Sequence, residues 1–270
     1  MSRNPLLNVL LYINATILSI SASMPSNIHV WLTFVLIFVC TVLLYFVVIL
    51  VWPILYPTVI AYPWENDNDN ENNTIAIMAG SFNPPHRGHY AMIEYLSKRH
   101  KRVICVVGKN PNKKYDVSPE ERAELLRMTN TNVTVEVVSD FIWRYAKHKF
   151  ASNNKIIFYR GIRSWEKDGK DERKLQILNT WGPLLIGWTR PIPTRYLTGK
   201  PEYNHISSTL IRNIILQKYN DNNQKSNYDD ITIKKEALKE LVMPSIVDRV
   251  YELYSPEKSL SQNNNKNKVN

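Results

Sequence analysis

The chain has 270 residues, room for one or two domains, and its 34 Lys and Arg outnumber its 24 Asp and Glu, for a formal charge of +10. That balance suits acidic partners such as nucleotides, nucleic acid or anionic lipid without choosing among them. Only two cysteines occur, Cys40 and Cys105, which excludes a disulfide framework; neither stands in a metal-ligand pattern, and a reducing compartment is the simpler reading.

In chain order, residues 1–30 form an N-terminal segment whose apolar stretch Pro5 to Ser21 is interrupted by Asn8 and Asn14. It reads as a second span, an interfacial helix or part of a targeting region. From Trp31 to Ile60 no charged side chain appears, and aromatic residues stand at both ends. A run of roughly 20 apolar residues is enough to cross a bilayer, so 31–60 is expected to be a transmembrane helix and the membrane a partner. The expected location is a membrane, with the following domain facing the cytosol. Residues 61–73 include the polar stretch Glu65 to Asn73, too poor in apolar residues to bury anything, and are expected to be a flexible linker.

From Thr74 the pattern changes. Short apolar runs, IAIMAG and VICVVG, alternate with helical patterns from about Gly88 to Arg102 and from Ser118. Such alternation argues for βαβ units around a mainly parallel sheet, hence an α/β, Rossmann-like domain over 74–254. Ser118, Pro119 and Glu121 make a helix start with a serine cap, proline at the first helical position and glutamate three residues after the cap. Further strands are expected at Val133–Val138, Ile156–Tyr159 and Leu184–Trp188, and a last helix from about Ile233 to Tyr254. The Lys- and Asn-rich tail, 255–270, is expected to be disordered. Trp143, Trp165, Trp181 and Trp188 are scattered among elements and read as core or pocket wall, and Lys234-Lys235 as a solvated helix face.

The segment Gly80-Ser81-Phe82-Asn83-Pro84-Pro85-His86-Arg87-Gly88-His89 lies directly between the first of these strands and the first helix. Glycines allow close approach to phosphate, a helix N-terminus offers unpaired N–H groups, and two histidines can aim donors into one pocket. Over a hundred residues later, His205-Ile206-Ser207-Ser208-Thr209-Leu210-Ile211-Arg212 places three hydroxyl residues before another apolar helical pattern. Alone it is a cap; beside the first motif it becomes a second helix start able to hold the outer phosphates of a nucleotide.

Both motifs resemble signatures of the cytidylyltransferase-like nucleotidyltransferase superfamily: (T/S)-F-x-P-x-(T/H)-x-G-H and I-S-S-T-x-I-R. Within it, Tyr159-Arg160-Gly161-Ile162-Arg163 is similar to the R-G-x-R element of phosphopantetheine adenylyltransferases. Asn110 to Lys114 with Pro119 to Arg122 is similar to their lysine loop and following helix. The resemblance implies that Ser81, Lys113 and Arg160 contact the acceptor phosphate. It further implies that Ser81, Phe82, His86, His89, Gly161, Ile162, Arg163, Glu172, Tyr203, Asn204, His205, Ile206, Ser207, Ser208 and Thr209 surround ATP. His89, Lys113 and Arg160 would carry the chemistry, with Mg2+ held mainly by ATP phosphates rather than by a protein carboxylate cage. The implied reaction moves AMP from ATP to 4′-phosphopantetheine. Rival readings are a nicotinamide mononucleotide adenylyltransferase, which His86 also suits, a cytidylyltransferase of phospholipid synthesis, and a catalytically silent membrane scaffold. No nucleic-acid module is present, so no nucleic-acid partner is expected, and a homo-oligomer is left open.

Overall fold

A computed structural model gives the structure, and it describes residues 15–16, 19, 26–64, 73–108, 116–129, 132–150, 155–217 and 227–256. The chain divides into two compact units, Met1–Tyr56 and Pro57–Asn270. In the first, helix α1 (Ser26–Phe46) runs into a π-helical stretch, Val47–Val51, and a short helix α2 (Trp52–Leu55).

The second unit holds a six-stranded sheet in the order β1-β6-β5-β2-β3-β4. Its strands are β1 (Thr58–Ile60), β2 (Thr74–Gly80), β3 (Arg102–Gly108), β4 (Thr134–Val138), β5 (Lys155–Ile162) and β6 (Thr194–Thr198). Every pairing is parallel. Helices α3 (Arg87–Arg99), α4 (Pro119–Arg127), α5 (Ile142–Phe150) and α6 (Trp165–Leu185) connect the strands, and α7 (Ser208–Leu216), α8 (Asn227–Lys239) and α9 (Val247–Tyr254) follow. Strand β2 is buried along six of its seven residues, as a strand covered on both faces must be. Its alternate side chains enter two cores. Ala76 and Met78 meet α3, α4 and α7 to α9 through Ile93, Leu126, Ile211 and Val250. Ile75 and Ile77 share the other core with Trp143, Ala146 and Phe150 of α5. From β2 the chain moves outward to β3 and β4, then returns to the opposite side of β2 as β5. The carboxyl ends of β2 and β5 therefore flank a topological switch point, where open parallel sheets leave a crevice for ligands.

The structure corrects several expectations. Among the described residues no helix is long and apolar enough to cross a membrane, which overturns the transmembrane reading of 31–60 and the membrane location drawn from it. The apolar run is divided among α1, the π-helical stretch, α2 and a strand, and its end, Thr58–Ile60, pairs with Arg195–Leu197 of β6. Trp64, expected in a linker, is buried in the core and its indole N–H donates to the Thr198 carbonyl at 3.1 Å. Leu184 and Leu185 continue α6 instead of forming a strand, since a five-residue apolar run has no period that separates helix from strand. The strand expected there is β6, whose Thr, Tyr and Thr suit a pleated surface. Trp188 is 91% exposed rather than core. Lys234 is buried against Asp230 at 2.8 Å, and Pro244 splits the expected last helix into α8 and α9. The tail beyond Pro256 and most of residues 1–25 lie outside the described residues.

Candidate functional site

The loop after β2 turns sharply at Phe82, whose backbone lies in the left-handed region at φ 45°. A bulky residue there carries strain on the order of 1–3 kcal/mol, held only where surroundings over-determine it. Phe82 is buried, and its ring lies 5.0 Å from that of His89. His86 caps α3 in extended conformation and His89 is the third helical residue; their rings are 3.8 Å apart. Gly88 permits this: a Cβ there would meet the His86 ring at 3.2 Å.

The two imidazoles are neutral near neutral pH. Burial lowers His86 to about 4; burial and then the charge of His86 hold His89 well below its usual value. The His86 backbone N–H donates to Nδ1 of His89 at 3.2 Å, which makes Nδ1 an acceptor and leaves the proton on Nε2 as a fixed donor. Nδ1 of His86 is buried without a hydrogen-bond partner among the described residues.

The second motif is docked on the first. Ser207 caps α7, accepting from the Leu210 N–H at 3.1 Å. The Ser208 hydroxyl donates to the Pro84 carbonyl at 2.7 Å, and Arg212 donates to the Asn83 carbonyl and, at 3.2 Å, to the Thr209 hydroxyl. Ile206 is buried, anchoring the approach to α7; Tyr203 is half-buried; Asn204, His205, Ser207 and Thr209 are exposed. A Cβ on Gly88 would also approach Tyr203 at 3.6 Å, so the segment before α7 lies alongside the start of α3. Two helix N-termini thus stand together, although in α3 the Arg87 and His89 N–H groups are already bonded, to the Leu241 and His86 carbonyls at 3.0 and 2.8 Å.

Arg160 approaches from β5. Its Nη1 donates to the Ala79 carbonyl at 2.9 Å, immediately before the loop. Its Nε and Nη2 donate to the two carboxylate oxygens of Glu172 at 2.8 and 2.7 Å, and the charge of Glu172 outweighs burial to raise the guanidinium further. Glu172, which the resemblance sets beside ATP, therefore has both oxygens on Arg160. Of the five guanidinium N–H groups, this leaves two for a ligand. Gly161 admits Met92 of α3, whose sulfur would lie 2.7 Å from a Cβ. Ile162 is buried, while Arg163 is exposed and tied to Asp168 at the start of α6 by a backbone N–H at 2.7 Å and by its guanidinium. Ser81 is exposed at the mouth of the loop. Lys113 lies outside the described residues. Two residues to which the sequence reading gave no role hold the loop: Arg122, fully buried, donates to the Ser81 carbonyl, and Tyr254 donates to Oδ1 of Asn83 at 2.6 Å. Among the described residues no group of three His, Cys, Asp or Glu could hold a metal ion.

Residues 77–214, half of the chain, match the family model described as cytidylyltransferase-like. The phosphopantetheine adenylyltransferase of Carboxydothermus hydrogenoformans is 30% identical over 145 residues, covering 53% of this chain and 83% of that protein. That of Synechocystis sp. is 34% identical over 143 residues, covering 52% and 83%. Among solved structures, Plasmodium falciparum nicotinic acid mononucleotide adenylyltransferase complexed with NaAD aligns over 67% of this chain and 97% of that one, at 16% identity and a TM-score of 0.45. The match to the family model takes in the strand, loop and helix of the first motif and most of α7 with the second, so the chain belongs to the cytidylyltransferase-like family of nucleotidyltransferases.

Proposed function

We propose that the chain is an adenylyltransferase that joins the AMP part of ATP to 4′-phosphopantetheine, giving dephospho-coenzyme A and pyrophosphate. The observation that carries this reading is the docking of α7 on the loop before α3 through Ser208 and Arg212, which sets two helix starts beside one another at the carboxyl end of a parallel sheet. One such start suits a single phosphate; two together suit a triphosphate. Identity of 30–34% with phosphopantetheine adenylyltransferases over most of their length supports the acceptor.

The reaction needs no covalent enzyme intermediate. An oxygen of the acceptor phosphate attacks the α-phosphorus of ATP; the new P–O bond forms as the bond to the α,β-bridging oxygen breaks, and pyrophosphate leaves with that electron pair. The protein positions the two reactants in line and meets charge as it grows on the leaving group. Nε2–H of His89 and the first-turn N–H groups of α7 supply donors toward ATP, and the two remaining N–H groups of Arg160 supply them toward the acceptor, with Lys113 as a further cation. These groups are donors suited to anions, so Mg2+ would arrive on the ATP phosphates, where it neutralises charge. By the family resemblance, His86 also suits one rival acceptor, nicotinamide mononucleotide.

A product assay decides the acceptor. The full chain is offered phosphopantetheine, nicotinamide mononucleotide, nicotinate mononucleotide and phosphocholine, each with ATP and with CTP. Dephospho-coenzyme A and pyrophosphate from the first acceptor with ATP are expected; turnover of another acceptor alone would replace this reading, and turnover of none would remove it.

A further inference from the structure

Four acceptor atoms of the loop are taken by groups from three helices, α4, α7 and α9. Arg122 of α4 holds the Ser81 carbonyl, Arg212 of α7 the Asn83 carbonyl and Ser208 the Pro84 carbonyl. The last hold comes from α9: the Tyr254 hydroxyl donates at 2.6 Å to Oδ1 of Asn83, both residues being 8% exposed. Burial, outweighing the nearby charges of Arg122 and Arg212, keeps that hydroxyl protonated and therefore a donor. The segment leading to α9 also grips the start of α3, since the Arg87 N–H donates to the Leu241 carbonyl at 3.0 Å and its guanidinium to the Lys239 carbonyl at 2.8 Å. All these bonds converge on a loop whose central residue, Phe82, holds a left-handed backbone.

We propose that Tyr254 is a positioning residue for nucleotide binding: from α9, beyond the residues matched by the family model, it holds Asn83 so that the strained loop keeps the form that receives a triphosphate. This rests on the nucleotide-binding reading above. A loop released from one of its holds visits other conformations, and apparent affinity falls by the fraction of time the competent form is lost. The effect should thus appear in binding of ATP alone, before any acceptor is present.

The test is a double-mutant cycle in the full chain, with Tyr254→Phe, Asn83→Ala and the pair, read by titration calorimetry with ATP and by thermal melting. Tyr254→Phe removes one oxygen and keeps the ring in its core position, so folding should persist. It is expected to weaken ATP binding roughly five- to tenfold, Asn83→Ala by a similar factor, and the double variant by no more than the larger single loss. ATP affinity of Tyr254→Phe within twofold of wild type overturns the proposal. So does a double-variant loss equal to the product of the single losses, which would mark two independent destabilisations. If the wild-type chain itself binds no ATP, the nucleotide reading fails and takes the proposal with it; wild-type binding with an unaffected Tyr254→Phe removes the proposal alone.

Discussion

The two arms of the site are held in opposite ways. The loop before α3 is held chiefly through its acceptors, by Arg122, Ser208, Arg212 and Tyr254. Arg160 is held through its donors: three of its N–H groups are already bound, two of them to a carboxylate. Backing by donors, two of them guanidiniums, fixes geometry and leaves positive charge behind the loop. Backing by Glu172 fixes geometry as well, but cancels much of the positive charge it orients. The arm proposed for ATP therefore keeps its positive field, and the arm proposed for the acceptor is oriented at reduced net charge.

Removing a donor from the arm proposed for ATP should have the largest effect. His89→Ala is expected to lower kcat by roughly 10²- to 10³-fold, by analogy with loss of one oxyanion donor, while ATP affinity changes less than about tenfold. Its Nε2–H is fixed by the His86 amide and meets charge that develops only as pyrophosphate departs. Calorimetry with ATP beside steady-state pyrophosphate release separates the two quantities. A kcat within a few-fold of wild type would make His89 a loop residue and leave the arm without its defining donor.

In the other arm, Arg160→Ala should raise the acceptor KM by an amount worth about 2–4 kcal/mol with ATP affinity nearly unchanged. The side chain of Glu172, only 11% exposed, would lose its partner, so the variant should also melt earlier. Arg160→Met with Glu172→Met removes the stranded carboxylate and should recover the melting temperature without recovering KM. Recovery of both would place Arg160 outside the acceptor site.

Much of this architecture was legible in the sequence because local chemistry declared it. Ser118 and Glu121 form the expected capping pair, at 3.2 and 2.9 Å, and the loop between β2 and α3 lies where its glycines and histidines indicate. What stayed hidden was non-local. Thr58–Ile60 is as apolar as the helices before it, and only its pairing with β6 makes it a strand; Trp64, in a segment that reads as linker, is packed by contacts more than a hundred residues away. A cut at Asn73, which composition recommends, would remove both. The partnership of Arg160 with Glu172 was equally hidden, because a bidentate bond between a strand and a helix leaves no spacing rule. Tyr254 belongs to an apolar helical face like any other, and nothing in its neighbours marks the hydroxyl that reaches Asn83.

The arms should also differ in their response to pH. His86 in the folded chain titrates at about 4, below the ordinary value of 6.5, so between these values the unfolded chain binds more protons and stability rises with pH. Lowering pH from 7.5 to 5 should therefore cost about 2 kcal/mol at this residue, an effect that levels off below 4 where both states are protonated. Arg160 is raised and stays charged throughout, so its arm adds no titration of its own. Bound ATP would draw the imidazole values upward and flatten the slope. Melting curves from pH 7.5 to 4, for wild type and His86→Gln, with and without ATP, read this directly; a slope unchanged by His86→Gln would assign it to other groups.

The smallest expected effect tests the difference between the arms most closely. In Glu172→Gln the amide oxygen still accepts from one guanidinium N–H, but the amide nitrogen now sets donor against donor at the other. Arg160 would regain charge and lose its fixed orientation. With the Arg160 side chain 24% exposed, solvent screens the regained charge, whereas the lost geometry bears directly on which two N–H groups face the acceptor. Orientation should win: KM for the acceptor rises about tenfold, worth roughly 1.4 kcal/mol, kcat at saturation moves less, and ATP affinity stays put. Glu172→Asp keeps the charge on a shorter arm and should fall between wild type and Glu172→Gln. A lower KM in Glu172→Gln would reverse the conclusion, making the carboxylate a brake on acceptor binding rather than a guide. A change confined to ATP affinity would instead return Glu172 to the nucleotide, as the family resemblance implies, and leave the pairing with Arg160 as a feature of the ligand-free chain.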